Sequence, residues 1–413
     1  MTGKLFRIRP RRLCFSRCGT CLFFLFIIGV LTLFSAFSSA SAEGVWGMGY
    51  GDYGALGIDP ADTYETPQEI VADNGLLVAA GDNFSMFVKS TGSLWGMGEN
   101  WDGCLGLEPS SVYYQYTPHQ VVSSGVTAVA TGDYHTLFVQ SGGLFAMGDN
   151  YDGQLGDGTN IDKHSPTPVP GHSSGVEKVA AGAYFSLFTK SDGSLWVVGD
   201  NCDGQLGDGT TNDRNVPYKL VSSGVTAIVA GSIHSLFLKS DGSLWVMGDN
   251  AYGQLGDGQI LDYPHDRHTP YKLINSGVTA IAAGDYHSLY VTTGGALWGM
   301  GRNGDGQLGD GTDDDRITPV LIVSSGVTTV TAGEYHSLFR KTDGSLWAMG
   351  DNDYGQLGDG TYDERLSPVQ IPNMTVSQIA AGSEHSLFVG TESGTPQPKK
   401  TVVPANTLLL LSN

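Results

Sequence analysis

Seven large aromatic residues recur at a near-constant interval. Trp46, Trp95, Phe145, Trp196, Trp245, Trp298 and Trp347 follow one another at 49, 50, 51, 49, 53 and 49 residues. A period held this close to 50 marks a repeat architecture, in which each unit buries its apolar face only by stacking on its neighbours. One full unit runs from Val126 to Pro170. Within it, VTAVA (126–130) alternates apolar with polar residues, and HTLFVQ (135–140) follows the turn Gly132-Asp133-Tyr134. GLFAMG (143–148) comes next, and the Gly-rich turn DNYDGQLGDGT leads to a fourth strand near Pro168. Short strands bounded by Gly, Asn and Asp fit all four segments. The 59 Gly are about twice the ordinary ~7% share, as tight turns at this density require.

Four strands per unit, seven times over, predict an all-β fold: a closed seven-bladed β-propeller of four-stranded blades. The two ends of the repeat are complementary. It opens midway through a unit at Val45-Trp46-Gly47 and finishes on IAAGSEHSLFVG (379–390), the first two strands of a unit. Residues 43–390 are therefore expected to form the propeller, with the last blade completed by both termini. The repeated Trp, Trp196 among them, is expected in the core.

The pattern V-x-x-[AV]-[AT]-G-x-x-H-[ST]-L-F, followed by G-x-L-W-x-M-G-x-N-x-x-G-Q-L-G-D-G-T, resembles the regulator of chromosome condensation repeat family over about residues 44–390. The resemblance implies the seven-bladed propeller. The namesake eukaryotic proteins are nuclear nucleotide-exchange factors for a small GTPase and act through a protruding wedge. This sequence has no wedge insertion, so that activity does not carry over. The bacterial secreted branch is nearer in setting. It includes an exported β-lactamase inhibitor that binds through an aromatic-rich face, but the very short linking segments of that inhibitor are missing here.

Residues 1–42 stand apart from the repeat. A basic start (Lys4, Arg7, Arg9, Arg11, Arg12, Arg17) precedes the apolar run 21–34, and Ala40-Ser41-Ala42 comes just before Glu43. That order matches a cleavable secretory signal peptide. A retained anchor is the second reading, and both imply export to the periplasm, cell envelope or extracellular space. Losing the segment's six positive charges takes the formal net charge from −20 to −26. Such a balance excludes nucleic acid as a general partner. Three Cys leave with the segment, and Cys104 and Cys202 stand at non-equivalent repeat positions, so no disulfide framework is expected. Residues 391–413 read as a Pro-rich linker with a short apolar C-terminal stub, too short to span a membrane. A truncated sorting signal and the start of a further domain both fit it.

Chemistry-bearing residues recur with the repeat. His135, His234, His287, His336 and His385 follow the Gly turn, where two other units carry Phe84 and Phe185. Equivalent positions in a ring lie too far apart to share one metal ion, so these read as packing residues that hydrogen-bond locally. Asp157, Asp208, Asp257, Asp310 and Asp359 recur in LGDG turns whose spacing differs from a calcium loop, and turn chemistry is the favoured reading. Ser235, Ser288, Ser337 and Ser386 are equal copies rather than one special nucleophile, and no hydrolase, zinc-protease or phosphate-loop motif occurs. The expectation is a non-enzymatic monomer without cofactor or metal. An extracellular hydrolase or lyase with its site at the propeller mouth is the alternative.

Strand polarity puts the turn between strands one and two and the turn between strands three and four on the same rim. That rim carries Trp101, Tyr134, Tyr151, Tyr184, Tyr252, Tyr286, Tyr335 and Tyr354, beside Asp133, Asp285 and Glu334. The connections 107–117 (Tyr113, Tyr114, Tyr116) and 257–269 (Tyr263, His265, Arg267, His268) are expected to widen it. The opposite rim has near-identical Ser-Ser-Gly turns without anchoring side chains. Aromatic anchors amid carboxylates point to a protein partner, basic in character, in the envelope or outside the cell.

Overall fold

Each sequence unit forms an antiparallel four-stranded meander in the computed structural model, which describes residues 43–58, 62–259 and 266–393. The leader reading of residues 1–42, the stub, and Tyr263 and His265 lie outside the described residues. The first two strands are β1 (Gly44–Gly49) and β2 (Tyr64–Val71). The first full sheet is β3 (Gly75–Ala80), β4 (Phe84–Lys89), β5 (Leu94–Glu99) and β6 (Tyr114–Val122). The second is β7 (Val126–Thr131), β8 (His135–Gln140), β9 (Gly143–Gly148) and β10 (Lys163–Pro168), close to the spans expected from sequence. The third comprises β11 (Val176–Ala181), β12 (Phe185–Lys190), β13 (Leu195–Gly199) and β14 (Arg214–Val221). The fourth comprises β15 (Val225–Ala230), β16 (His234–Lys239), β17 (Leu244–Gly248) and β18 (Arg267–Ile274). The fifth comprises β19 (Val278–Ala283), β20 (His287–Thr292), β21 (Leu297–Gly301) and β22 (Arg316–Val323).

The remaining strands are β23 (Val327–Ala332), β24 (His336–Lys341), β25 (Ser345–Gly350), β26 (Arg365–Ala381) and β27 (His385–Glu392). β26 serves two units: its start pairs with β25, and its end, from Met374 to Ala381, pairs with β27. β27 then pairs with β1, in register from Gly44 opposite Gly390 to Gly49 opposite His385, and β1 pairs with β2. Every described element is a strand, and no helix among the described residues is long and apolar enough to cross a membrane.

The second strand of each unit is buried along nearly its whole length because a neighbouring sheet covers each face, so HTLFV and its equivalents read as continuous apolar runs. Core clusters accordingly mix adjacent sheets. Phe84 and Met86 of β4 meet Phe138 of β8 and Met147 of β9. Val45 of β1 and Leu387 of β27 meet Phe87 of β4 and Met97 of β5.

Glycine is required where the sheets converge. A Cβ on Gly132 would collide with the carbonyl oxygen of Gly182 and with the His135 ring. The same contact links Gly182 to Gly231, Gly231 to Gly284, Gly284 to Gly333, Gly333 to Gly382, Gly382 to Gly81, and Gly81 to Gly132.

Two sequence expectations need correction. The repeated Trp is not core: Trp196 is half-buried on the outer part of its sheet, and the fully buried partner it stacks on is Phe188, with centroids 6.0 Å apart. Lys190 and Lys219 cover its exposed side, each about 5 Å from the ring. The repeated His is buried, but its hydrogen bond is not local. His135 Nε2 reaches Ser186 Oγ at 2.9 Å in the next unit, and His234, His287 and His336 reach Ser288, Ser337 and Ser386 at 2.8 Å. Ser186, Ser337 and Ser386 donate their single proton onward to the carbonyls of Gln154, Gln307 and Gln356. The histidine facing each of them therefore donates from Nε2 and is the neutral Nε2–H tautomer.

Candidate protein-binding rim

The turn between strands three and four is built around a buried Asn. Asn150 Oδ1 accepts from the Leu155 amide at 3.0 Å, and its Nδ2 donates to the carbonyls of Thr159 and Ile161. Gln154 Nε2 donates to Asp149 Oδ2 at 2.6 Å. The LGDGT carboxylate is a turn element, as its composition suggests, and also an ion-pair acceptor. Asp208 accepts from the amide and hydroxyl of Thr210 and pairs with Arg214. Asp257, Asp310 and Asp359 pair with Arg267, Arg316 and Arg365, and Asp157 pairs with Lys163. These bonds fix the loop that projects the next residues onto the rim. Arg267, expected to widen the rim, is held in such a pair and lies over Tyr271.

Both turn types do meet at one end of the sheets. Tyr252, from a third-to-fourth turn, packs edge-on against Tyr286, from a first-to-second turn, with centroids 5.3 Å apart. Tyr134 and Tyr184 lie 6.1 Å apart, and the Tyr134 hydroxyl donates to Asp82 Oδ2 at 3.5 Å. Tyr335 is half-buried under Arg302, whose guanidinium lies 4.6 Å from its ring and 5.9 Å from that of Tyr252. Tyr354 packs on Tyr50 at 4.9 Å. Trp101, Tyr113 and Tyr151 are the most exposed aromatics, at 56%, 58% and 79%, and Tyr151 meets no other described ring.

Asp133, Asp285 and Glu334 occupy a different part of this end. With Asp82 they line a cavity of about 130 Å³ walled by all seven Gly turns, from Ala80-Gly81-Asp82 round to Ala381-Gly382-Ser383. Burial, then the neighbouring Asp82 and Glu334, pushes the Asp133 carboxyl up to about 7. Asp285 is raised by burial and by Asp133, and Asp82 by burial and by Glu334. Glu384 is likewise pushed up to about 7, by burial and then by Glu334 and Asp82. None of these five carboxylates forms an ion pair among the described residues. The cavity is thus a focus of uncompensated negative potential.

Among the described residues, the only three ligand-type atoms within 4.8 Å of one another belong to Asp200, Cys202 and Asp213. The Cys202 thiol is pushed up to about 12 by its hydrogen bond to Asp200 and by burial, so without an ion it is protonated at neutral pH.

The model of the RCC1-like domain matches residues 35–275, and models of the regulator of chromosome condensation (RCC1) repeat match 278–307, 294–340, 327–356 and 343–389. The chain belongs to the regulator of chromosome condensation repeat family. Solved structures share the fold of this RCC1-repeat protein. Human WBSCR16 aligns with a TM-score of 0.76 at 23% identity, covering 86% of this chain and 100% of that one. Prp20p of Saccharomyces cerevisiae aligns at 0.75 and 21% identity, covering 86% and 93%. The yeast RCC1 (Prp20) structure with Kap60 gives 0.75 at 20% identity, covering 86% and 90%. A search of curated proteins returns no match.

Several rim residues of this RCC1-repeat chain escape pattern reading. Arg302 stands where four other units carry Asp149, Asp200, Asp249 or Asp351, the acceptors of the buried Gln. Gln307 accordingly has a buried Nε2 without a hydrogen-bond partner. The signal was visible as one Arg in a column of acids. Tyr50 was missed because the repeat begins there, whereas Asp82 and Glu384 stand in the first-to-second-strand turns that the sequence assigns to this rim.

Proposed function

We propose that this protein is an exported, non-enzymatic binding module that recognises a basic protein through its aromatic and acidic rim. In this reading residues 1–42 are a secretory signal, and residues 43–390 form a seven-bladed ring whose last blade is shared by both termini. The pairing of β1 with β27 and the cyclic succession of glycine contacts support that ring. RCC1-like propellers are generally protein-binding modules; the Prp20p structure, for example, is described with binding to Gsp1p and histones.

One observation carries the reading: tyrosines from both turn types converge on the end where Asp82, Asp133, Asp285, Glu334 and Glu384 form no ion pair among the described residues. A partner's Lys or Arg would relieve that charge, and the tyrosines would supply anchoring area. The test is binding of the mature chain to a panel of basic proteins at rising salt. Affinity is expected to fall with ionic strength and to drop at least tenfold in Tyr286→Ala/Tyr335→Ala. Unchanged affinity in a folded double variant would remove the rim from consideration.

A hydrolase or lyase reading has one observation in its favour: Asp133 lines the cavity formed by the Gly turns, where burial pushes its carboxyl up to about 7, a range suited to a general acid. Turnover of a glycan or ester panel, abolished by Asp133→Asn, would establish it.

A further inference from the structure

The rim aromatics are not evenly spread, and one sector forms a continuous ridge. Tyr354 packs edge-on against Tyr50 at 4.9 Å, Tyr50 against Tyr53 at 5.6 Å, and Tyr53 stacks on Tyr114 at 5.4 Å and 15°. Trp101 and Tyr116 flank Tyr114 at 6.3 and 6.1 Å. The six rings run across three successive units, and Tyr53, Trp101 and Tyr116 present their faces or edges to solvent. Contiguous aromatic surface of this kind on a soluble domain marks an interaction site.

Elsewhere on the rim the protein covers equivalent rings with its own cation. Arg302 lies four residues after Trp298 and sits over Tyr252 of the preceding unit and Tyr335 of the following one. Tyr50 lies four residues after Trp46, and its preceding unit offers Tyr354 at the place of Tyr252. On that side the sectors correspond, the ridge having a tyrosine where the other has a guanidinium; on the following side Asn83 takes the place of Tyr335, and within the turn Tyr53 takes the place of Asp305. Carboxylates surround the ridge: Asp52 beside Tyr50, Asp353 and Glu384 beside Tyr354, and Asp102 next to Trp101. None of the four forms an ion pair among the described residues.

We infer that the Tyr354–Tyr50–Tyr53–Tyr114–Trp101 ridge is the docking site for an arginine-bearing segment of a polypeptide partner, whose guanidinium groups lie on the exposed rings between the flanking carboxylates. The inference rests on the rim reading above and narrows it to one sector and one side chain. Planar guanidinium stacks on aromatic faces while donating in the ring plane to carboxylates, which a compact ammonium does less well. A neutral glycan would also stack on exposed rings, but it would leave the four carboxylates uncompensated.

The experiment is calorimetric titration of the mature chain with a nine-residue peptide carrying three arginines, and with its lysine and citrulline counterparts. Chitohexaose and cellohexaose serve as neutral stacking probes. The arginine peptide is expected to bind several-fold more tightly than the lysine peptide, with citrulline at least tenfold weaker. Tyr53→Ala/Trp101→Ala is expected to weaken the arginine peptide about tenfold, Tyr53→Phe/Trp101→Phe to retain it, and Tyr218→Ala/Leu321→Ala, exposed on β14 and β22 and outside the rim, to leave it unchanged. Equal binding of arginine and citrulline peptides, or ridge-dependent binding of an oligosaccharide in their place, overturns the inference. Arginine-peptide binding lost in Tyr286→Ala/Tyr335→Ala but not in the ridge variant overturns it while sparing the rim reading. Absence of binding by every peptide overturns both.

Discussion

His385 Nε2 and Ser85 Oγ share a 2.8 Å hydrogen bond across 300 positions of sequence. It is the fifth member of a series in which a buried His of one unit meets the Ser of the next, and it joins the final strand of the repeat to the first full sheet. The series ties neighbouring sheets through neutral imidazoles only. Burial lowers His135, His234, His287 and His336 to about 3 and His385 to about 4.

Acid sensitivity follows from those histidines. Each is neutral in the fold, while the unfolded chain takes up a proton below about 6.5. Stability should therefore fall as pH drops from about 6.5 toward 3, by up to roughly 1.4 kcal/mol per pH unit for each site. His234→Phe, which copies the Phe84 and Phe185 of two other units, should cost about 1 kcal/mol at pH 7 for the bond lost at Ser288. It should also flatten the acid limb. Urea midpoints at pH 7 and pH 4.5 measure both effects.

The axial carboxylates have the opposite sign. Asp133 binds its proton more tightly in the fold than in the unfolded chain, so its unfavourable contribution grows as pH rises from about 4 to 7 and is complete above 7. Asp133→Asn should be more stable than the parent at pH 8, by on the order of 1–3 kcal/mol, and equal to it near pH 4. Thermal unfolding across that range gives the difference directly.

The Asp–Arg pair under four of the loops is a separate source of stability. In Asp208→Ala the Thr210 amide and Asn201 Nδ2 lose an acceptor, and Arg214 loses its counter-charge. The expected cost is about 2–4 kcal/mol. Burial works against the Asp208 carboxylate, but bonds from Thr210 and Arg214 overcome this and hold it below the usual range, so the cost should shrink as pH falls below about 4. Denaturation of parent and variant at pH 7 and pH 3 tests it.

Core and surface aromatics should separate cleanly. Phe188 is fully buried, and Phe188→Ala should cost about 3–5 kcal/mol. Trp196, covered by lysine stems and bonded through Nε1 to Ser194, should cost less on truncation, about 1–3 kcal/mol. Paired guanidinium titrations rank the two.

Strand spans were legible because the period-two pattern and Gly turns are local signals, and β7, β8 and β9 lie within a residue of the spans expected. The Trp assignment failed because periodicity reveals that a position repeats, not how near the edge of its sheet the strand lies; the Phe opposite each Trp, or Tyr290 opposite Trp298, was the buried member. The Asp–Arg pair was also written in the sequence, six residues apart in Asp208–Arg214, Asp310–Arg316 and Asp359–Arg365, but turn composition explained the Asp without it. The ridge was beyond pattern reading. It joins Tyr354 to Tyr50 and Tyr53 to Tyr114, pairs that become neighbours only when the last sheet meets the first and the first meets the second.

The glycines that lean on one another around the axis act as a gauge. Gly132 lies against the Gly182 carbonyl, and following that relation from unit to unit leads back through Gly81 to Gly132. At each of these positions a backbone carbonyl of the next unit and the unit's own His or Phe ring leave a Cβ no room. An added methyl group at any one of them would have to displace both the carbonyl of the next unit and that ring. Sequence drift elsewhere in the units can change what the rim binds, while these positions hold the diameter of the opening that the acidic residues surround.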